Sequence, residues 1–393
     1  MEHHSFPLII PFLIFTGAAV IATFALYARQ AMLVGYIILG LIMGPAVFKV
    51  VDSGMEAMRI ASNIGIVLLL FLLGLNLSPI KFIKVVRTTI GPTLVSSVIF
   101  TLPGIAIGYL LGFDAISITL LAISTMFSST IIGLKLLPTT VLHHKSTGEI
   151  IISILLLQDV IAILIILGLR LFYGNNEELN SSLPFIKMLM LPVMVALAYL
   201  LQKHLLVKLL SHYDKIKEYV FILMIGWCFG IAQLTAWLGF SYEIGAFIAG
   251  VLMATHPIAA YVADALNPLR DFFMVIFFFA LGSSIEPGAV GAIWLPALIL
   301  AVILLALKPW VFEWLLHRSG EEKARAKEVG LRLGQGSEFT LLIIALAAQL
   351  GIADKLALSL IETMTLITFM ISPYLIIKKY PSPVALDDRL RRD

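Results

Sequence analysis

The residues with the most unusual settings in this sequence are three ionisable groups inside long apolar runs. Asp159 follows Gln158 after Leu155-Leu156-Leu157, Glu338 follows Gly334-Gln335-Gly336-Ser337, and Lys308 stands between Leu307 and Pro309. A hydroxyl cluster, Ser124-Thr125-Met126-Phe127-Ser128-Ser129-Thr130, interrupts another apolar run. Carboxylates, hydroxyls, amide oxygens and free carbonyls are hard oxygen ligands of the kind an alkali cation accepts. A carboxylate kept from water can replace part of that cation's water shell, and once emptied it is neutralised by a proton. One group that cannot hold both at once couples the two ions without a second site. No nucleophile–base pair or metal-ligand cluster of the enzymatic kind stands out, so neither an enzyme nor a cofactor is expected.

The elements that must position these groups are membrane helices. Of 393 residues, 60% are hydrophobic and 13% charged, so lipid has to cover most of the surface. The net charge of +3 then reports orientation rather than an acidic or nucleic-acid partner. The single cysteine, Cys228, excludes an intramolecular disulfide. The first apolar run, Leu8 to Tyr27, is as long as a span and has no small-residue cleavage site behind it, so it reads as a helix rather than a removable leader.

About 20 apolar residues cross the hydrocarbon core. On that basis spans fall near 8–27, 32–48, 62–79, 90–112, 115–137, 149–172, 185–204, 218–238, 240–257, 272–287, 290–317, 328–350 and 357–377. With the N-terminus outside, the cytoplasmic loops hold Arg29, Lys81, Lys84, Arg87, Lys135, Lys145, Lys203, Lys208, Lys215, Lys217 and Arg270. They also hold Arg318, Lys323, Arg325, Lys327 and the basic tail from Lys378, while the outer loops hold only Lys49, Arg59, Arg170, Lys187 and Lys355. That asymmetry orients the chain N-outside and C-inside, as expected for a bacterial inner membrane. At 1.5 Å per residue, Asp159 and Glu338 each stand about 15 Å, and Lys308 about 13 Å, from the cytoplasmic face. Burying such groups costs at least about 2.5–3.5 kcal/mol each, so each calls for a reason. Asp159 reads as the carrier, with a purely structural hydrogen bond as the alternative. Lys308 is too deep to snorkel comfortably, and Glu338 either serves the site, caps the twelfth span or pairs with Arg332. Glu243, Glu313 and Arg332 lie nearer the interfaces and read as solvated or pairing groups.

A faint internal copy accompanies this layer. Gly35, Gly40, Gly44 and Pro45 in the second span are echoed by Gly245, Gly250 and Pro257 in the ninth. Phe71-Leu72-Leu73-Gly74 with Asn76 and Pro79 is echoed by Phe279-Ala280-Leu281-Gly282 with Ser284 and Pro287. The offsets, 210 and 208 residues, correspond to seven spans, so the copies enter the membrane from opposite sides. The expected fold is therefore an all-α polytopic protein of thirteen helices. Two six-helix inverted repeats flank a linking helix, and two discontinuous helices cross at the midplane. The broken pair should be the fifth and twelfth spans, where Ser129 and Ser337 are again 208 apart and freed backbone groups need a cavity to satisfy them. Back-bonding of the serines to their own helix is the plainer alternative.

Taken together, Gly35-Tyr36, Gly44-Pro45, Phe71-Leu72-Leu73-Gly74, Ser128-Ser129-Thr130, Gln158-Asp159 and Gly334-Gln335-Gly336-Ser337-Glu338-Phe339 resemble the membrane domain of the monovalent cation:proton antiporter-2 family, within it the Kef-type potassium/proton antiporters. The resemblance implies a homodimer exchanging K⁺ or Na⁺ for H⁺ by an elevator motion. Asp159 would be the cation/proton site, with Gln158 and the Ser128, Ser129 and Thr130 cluster beside it. Lys308 would be its ion-pair partner, and Gln335, Ser337 and Glu338 the support on the other broken span. It also implies scaffold helices at 1–79 and 213–289, core helices at 80–175 and 290–377, a linking helix at 176–212 and a cytosolic tail at 378–393. Kef-type proteins usually carry a Rossmann-like regulatory domain. Gly330 to Gly336 lies on a membrane helix and is no such fingerprint, so the expectation is either a truncated chain or regulation by a separate cytosolic domain or subunit. Sodium/proton exchange, a gated cation channel and a non-transporting sensor are the competing readings.

Overall fold

A computed structural model describes residues 9–28, 30, 32–44, 48, 55–76, 89–137, 146–173, 183–213, 216–238, 240–283, 285 and 287–382. The described chain is helical nearly throughout. In order it forms α1 (Ile9–Tyr27), α2 (Met32–Met43), α3 (Met55–Asn76), α4 (Ile90–Leu110), α5 (Ala115–Met126), α6 (Thr130–Lys135), α7 (Ser146–Tyr173) and α8 (Leu183–Leu201). There follow α9 (Val207–Tyr213), α10 (Lys217–Trp237), α11 (Tyr242–Met253), α12 (Ala259–Ser283), α13 (Pro287–Arg318), α14 (Lys323–Arg332), α15 (Glu338–Leu350) and α16 (Lys355–Ile377). Among the described residues seven helical stretches are long and apolar enough to cross a membrane, and six more are apolar but shorter. Large apolar side chains such as Val98, Ile222 and Trp310 are exposed in mid-helix, as lipid-facing surfaces are in a multi-pass membrane protein.

Several ends differ from the hydropathy reading. α12 starts at Ala259, well before the expected 272, because Pro268 and the charges Asp264, Arg270 and Asp271 lower local hydropathy without stopping the helix. Arg270 is thus on a helix, bonded to Asp271 at 2.8 Å, rather than in a loop. α8 runs through a π-helical turn, Gln202–Leu206, into α9, which puts Lys203 and Lys208 on helix as well. Arg170, expected in an outer loop, closes the last turn of α7. Pro45, Ser78, Pro79, Ser284, the loop residues Arg29, Lys49, Lys81, Lys84, Arg87, Lys145 and Lys215, and the tail beyond Ser382 lie outside the described residues.

The two breaks are where the hydroxyls and glycines stand. α5 starts on Asp114, whose carboxylate accepts from the amides of Ile116 and Ser117, and ends at Met126. Phe127 is extended, with φ −84° and ψ 150°, and the chain turns helical again only at Thr130, after Ser129 Oγ has accepted from the amide of Ile132 at 3.1 Å. The twelfth span, read as starting at 328, is two helices. α14 stops at Arg332, and α15 begins at Glu338 under a Ser337 cap whose hydroxyl accepts from the Phe339 amide at 3.1 Å. Each serine takes up an amide that a helix start leaves orphaned.

The chain divides into two compact units. One comprises Met1–Val50, Lys84–Ile165 and Leu281–Asp393, and contains both breaks. In the same unit Phe100, Ile151, Ile154, Leu155, Phe312 and Leu333 form part of a buried apolar cluster. The other comprises Val51–Ile83 and Ile166–Ala280. There α3 and α11 cross so closely that a Cβ on Gly250 would collide with the Phe71 carbonyl and stand 3.0 Å from Gly74 Cα. Only glycine permits that approach. In the same unit Arg170 pairs with Glu243 at 2.8 Å, fulfilling the pairing alternative for that glutamate.

Candidate ion site at two broken helices

A break in a buried helix frees carbonyls and amides that must find partners. Here the partners come largely from the other break and from α7, α13 and α16. Gln158, on α7, accepts from the Ser128 amide at 2.9 Å and donates to the Met126 carbonyl at 3.2 Å, so one side chain takes up two of the backbone groups freed at the break. Ser128 Oγ donates to the Leu333 carbonyl at 2.8 Å, and Gln335 Nε2 donates to the Ser129 carbonyl at 3.4 Å. Thr340 Oγ1 donates to the Ser124 carbonyl at 2.9 Å. On the other break, the Gly336 amide donates to Thr368 Oγ1 at 2.9 Å, and Ser372 Oγ donates to Gln335 Oε1 at 3.0 Å.

Lys308 joins the two breaks. It is fully buried (0%), and its ammonium donates to the Phe127 carbonyl at 2.5 Å and to the Gln335 carbonyl at 2.9 Å, with the Phe100 ring centroid 5.4 Å away. Among the described residues no ion pair joins Lys308 to Asp159. In this conformation two carbonyls freed by the breaks take the ammonium instead. Its Pro309 neighbour does not disrupt the arrangement. A Cβ on Gly330 would sit 2.5 Å from the Pro309 carbonyl, so α14 packs directly onto the proline turn.

Asp159 is 2% exposed and one residue along α7 from Gln158. Thr130 Oγ1 lies 3.1 Å from one carboxylate oxygen and 3.3 Å from the other, so its proton is donated into the carboxylate. Glu338 is the other charged group that bears on it electrostatically, and is itself buried at the start of α15. The structure therefore brings Asp159, Gln158, Ser128, Ser129, Lys308, Gln335 and Ser337, all buried, into one connected set with the half-buried Thr130, and Glu338 follows the Ser337 cap. Chemically, the set offers one carboxylate with a hydroxyl on it, a second carboxylate nearby, and a cation already committed to backbone oxygens.

Four participants escaped the sequence reading. Thr340, Thr368, Ser372 and Phe100 carry no unusual signal in an apolar helix. Arg332, read as a solvated or pairing group, is a pairing one, and its guanidinium is wholly buried. It binds Glu328 at 2.8 Å, not Glu338, and donates to the Leu136 and Pro381 carbonyls at 2.9 and 2.8 Å. It thereby fastens the end of α14 to the segments following α6 and α16.

The sodium/hydrogen exchanger transmembrane family matches residues 12–377 of this chain. The chain belongs to the sodium/hydrogen exchanger family. Its relatives include the glutathione-regulated potassium-efflux system protein KefC of Klebsiella pneumoniae, 28% identical over 90% of this chain and 57% of that protein. The K(+) efflux antiporter 6 of Arabidopsis thaliana is 28% identical over 91% of this chain and 61% of its own length. The chain thus spans little more than half the length of these relatives, which are transporters rather than enzymes. The fold is that of the sodium proton antiporter MjNhaP1 from Methanocaldococcus jannaschii, with a TM-score of 0.68, 18% identity and coverage of 97% of both chains.

Proposed function

We propose that the protein is a secondary antiporter exchanging a monovalent cation, K⁺ in preference to Na⁺, for protons at Asp159. The observation that carries this reading is a buried carboxylate, hydroxyl-bonded by Thr130, beside two opened helices inside a membrane protein. Ionised, it holds a dehydrated cation together with hydroxyl and carbonyl oxygens; vacated, it takes a proton, and only one of the two fits at a time. Potassium is favoured because relatives matched over most of this chain are named for potassium efflux. Lys308 is the countercharge for Asp159 when the cation has left, reached by exchanging its carbonyl partners for the carboxylate.

The finer architecture belongs to the same proposal. Among the described residues, seven long and six shorter apolar helices support a reading of thirteen crossings, and several internal bonds support two inverted repeats. The carbonyls shared by Lys308, those of Phe127 and Gln335, are 208 residues apart, as are the two caps Ser129 and Ser337. Ser128 and Gly336, also 208 apart, each give their amide to a side chain of a following helix, Gln158 and Thr368. Gly74 meets Gly250 across α3 and α11, and Gly282 meets Ile37 across α12 and α2, the exchange of partners that an inverted repeat produces. We assign 80–175 and 290–377 to a moving core and 1–79 and 213–289 to a scaffold that dimerises, with 176–212 between them. The membrane is a bacterial inner membrane, with the N-terminus outside and the basic tail in the cytosol. The test is reconstitution in proteoliposomes with a lumenal pH dye, titrated with K⁺, Na⁺, Li⁺ and Rb⁺. Saturable, cation-driven proton movement with K⁺ ahead of Na⁺ is expected. Sodium ahead of potassium would overturn the ion assignment, and unsaturated, channel-like flux would overturn antiport.

A further inference from the structure

One buried carboxyl takes no part in the site above. Glu362 lies seven residues into α16, about 10 Å from its Lys355 end, and is 8% exposed. Among the described residues its Oε1 is buried without a hydrogen-bond partner, and none of the helices packed most closely against α16 answers it with a cation. α2 and α5 carry no charged residue, and α15 carries only Glu338. α13 offers Lys308, Glu313, His317 and Arg318, of which Lys308 is held by two carbonyls and the rest lie further along the helix. The buried α13 residues at 297, 300, 301 and 304 are all apolar. α14 carries Lys323, Arg325, Lys327, Glu328 and Arg332, and its buried cation is bound to Glu328. An ionised carboxylate without a partner would cost several kcal/mol here, so the group is suited to holding a proton.

The turns that follow Glu362 are not ordinary apolar helix. Thr365, Thr368 and Ser372 are each at most 1% exposed, and with Glu362 they recur every three or four residues along one side of α16. A packing stripe asks only for small side chains, and Thr365 and Thr368 do bond back to their own helix. A glutamate at the head of the stripe is not explained by packing. The stripe leads directly to the site. Thr368 holds the Gly336 amide, Ser372 holds Gln335, and Gln335 reaches the carbonyl of Ser129, whose neighbour Thr130 is bonded to Asp159.

We propose that Glu362 is a second proton-binding residue of the transport core, on the route between the Lys355 end of α16 and Asp159. It rests on Asp159 being the exchange site. In each relay one proton leaves the Glu362 carboxyl as one binds at Asp159, and water at the Lys355 end reloads Glu362. The reverse sequence serves the opposite direction.

Infrared difference spectroscopy on the purified full chain reads this directly. At neutral pH the protonated-carboxyl region of the wild-type spectrum should contain a component lost in Glu362→Gln and kept in Asp159→Asn. In proteoliposomes Glu362→Gln should slow cation-driven proton exchange by at least about tenfold and move its pH profile, with the half-saturating cation concentration unchanged. Glu362→Asp should recover most of the rate, and stands in for the Gln variant if that variant fails to fold. A Glu362→Gln protein that keeps its rate and pH profile overturns the proposal, because a merely structural neutral acid tolerates the amide. So does a Glu362→Gln spectrum that keeps every protonated-carboxyl component of wild type. Failure of the Asp159 reading would be seen separately, as exchange that persists in Asp159→Asn.

Discussion

At the residue scale, Lys308 has the most to lose from substitution. Its ammonium takes up two carbonyls that nothing else in the described structure bonds, and hydrogen bonds to charged groups contribute about 1.5–3 kcal/mol each. Lys308→Met should lower the melting temperature of the detergent-purified protein by an amount matching several kcal/mol, and Lys308→Gln by less, because the amide can still donate. The transport readout separates the two roles assigned to this lysine. If it also neutralises the emptied Asp159, its loss leaves the carboxyl holding its proton to higher pH. The activity profile of Lys308→Gln then shifts toward alkaline pH. A loss of stability with an unchanged profile would confine Lys308 to bracing the breaks. Gln158 illustrates the same economy: adjacent to the carrier, its side chain is spent on the Met126 carbonyl and Ser128 amide.

Elements explain why some of this was legible and some was not. The breaks could be read because Ser, Thr and Gly clusters in an apolar run are local signals, and they fell where the hydroxyls and glycines predicted. Asp159 stood out for the same reason. The partners of Lys308 could not be read, since they exist only when segments some 200 residues apart open against one another. The start of α12 was hidden by Pro268 and its charged neighbours, and Glu362 was passed over although it is a carboxylate in an apolar helix like Asp159. Helix crossings give a further check. At Gly250 any side chain would strike the Phe71 carbonyl and the Gly74 backbone, so Gly250→Val should cost about 1–3 kcal/mol or more through overpacking. Gly226→Ala and Gly230→Ala, on α10 with nothing within 4 Å, should instead be neutral or stabilising by about 0.5–1 kcal/mol. Thermal melts in one detergent compare them. Equal melting temperatures for Gly250→Val and wild type would mean that α3 and α11 do not cross as described.

For the whole molecule, the proposal is a core carrying both breaks that moves against a scaffold. Cysteine pairs placed across the core–scaffold boundary, in a background with the buried Cys228 replaced, should cross-link in two mutually exclusive sets. Either lock should stop transport and reduction should restore it. Exchange that continues in both locked states would remove the elevator and the division into core and scaffold with it. The central claim is narrower and can be tested more directly. In proteoliposomes loaded with a pH dye, Asp159→Asn preserves the shape and much of the ligation of the site but cannot carry a proton. A folded Asp159→Asn protein should give no K⁺-driven proton movement across the pH range in which wild type is active. Exchange at a rate near wild type would contradict the account and move the carrier to Glu338.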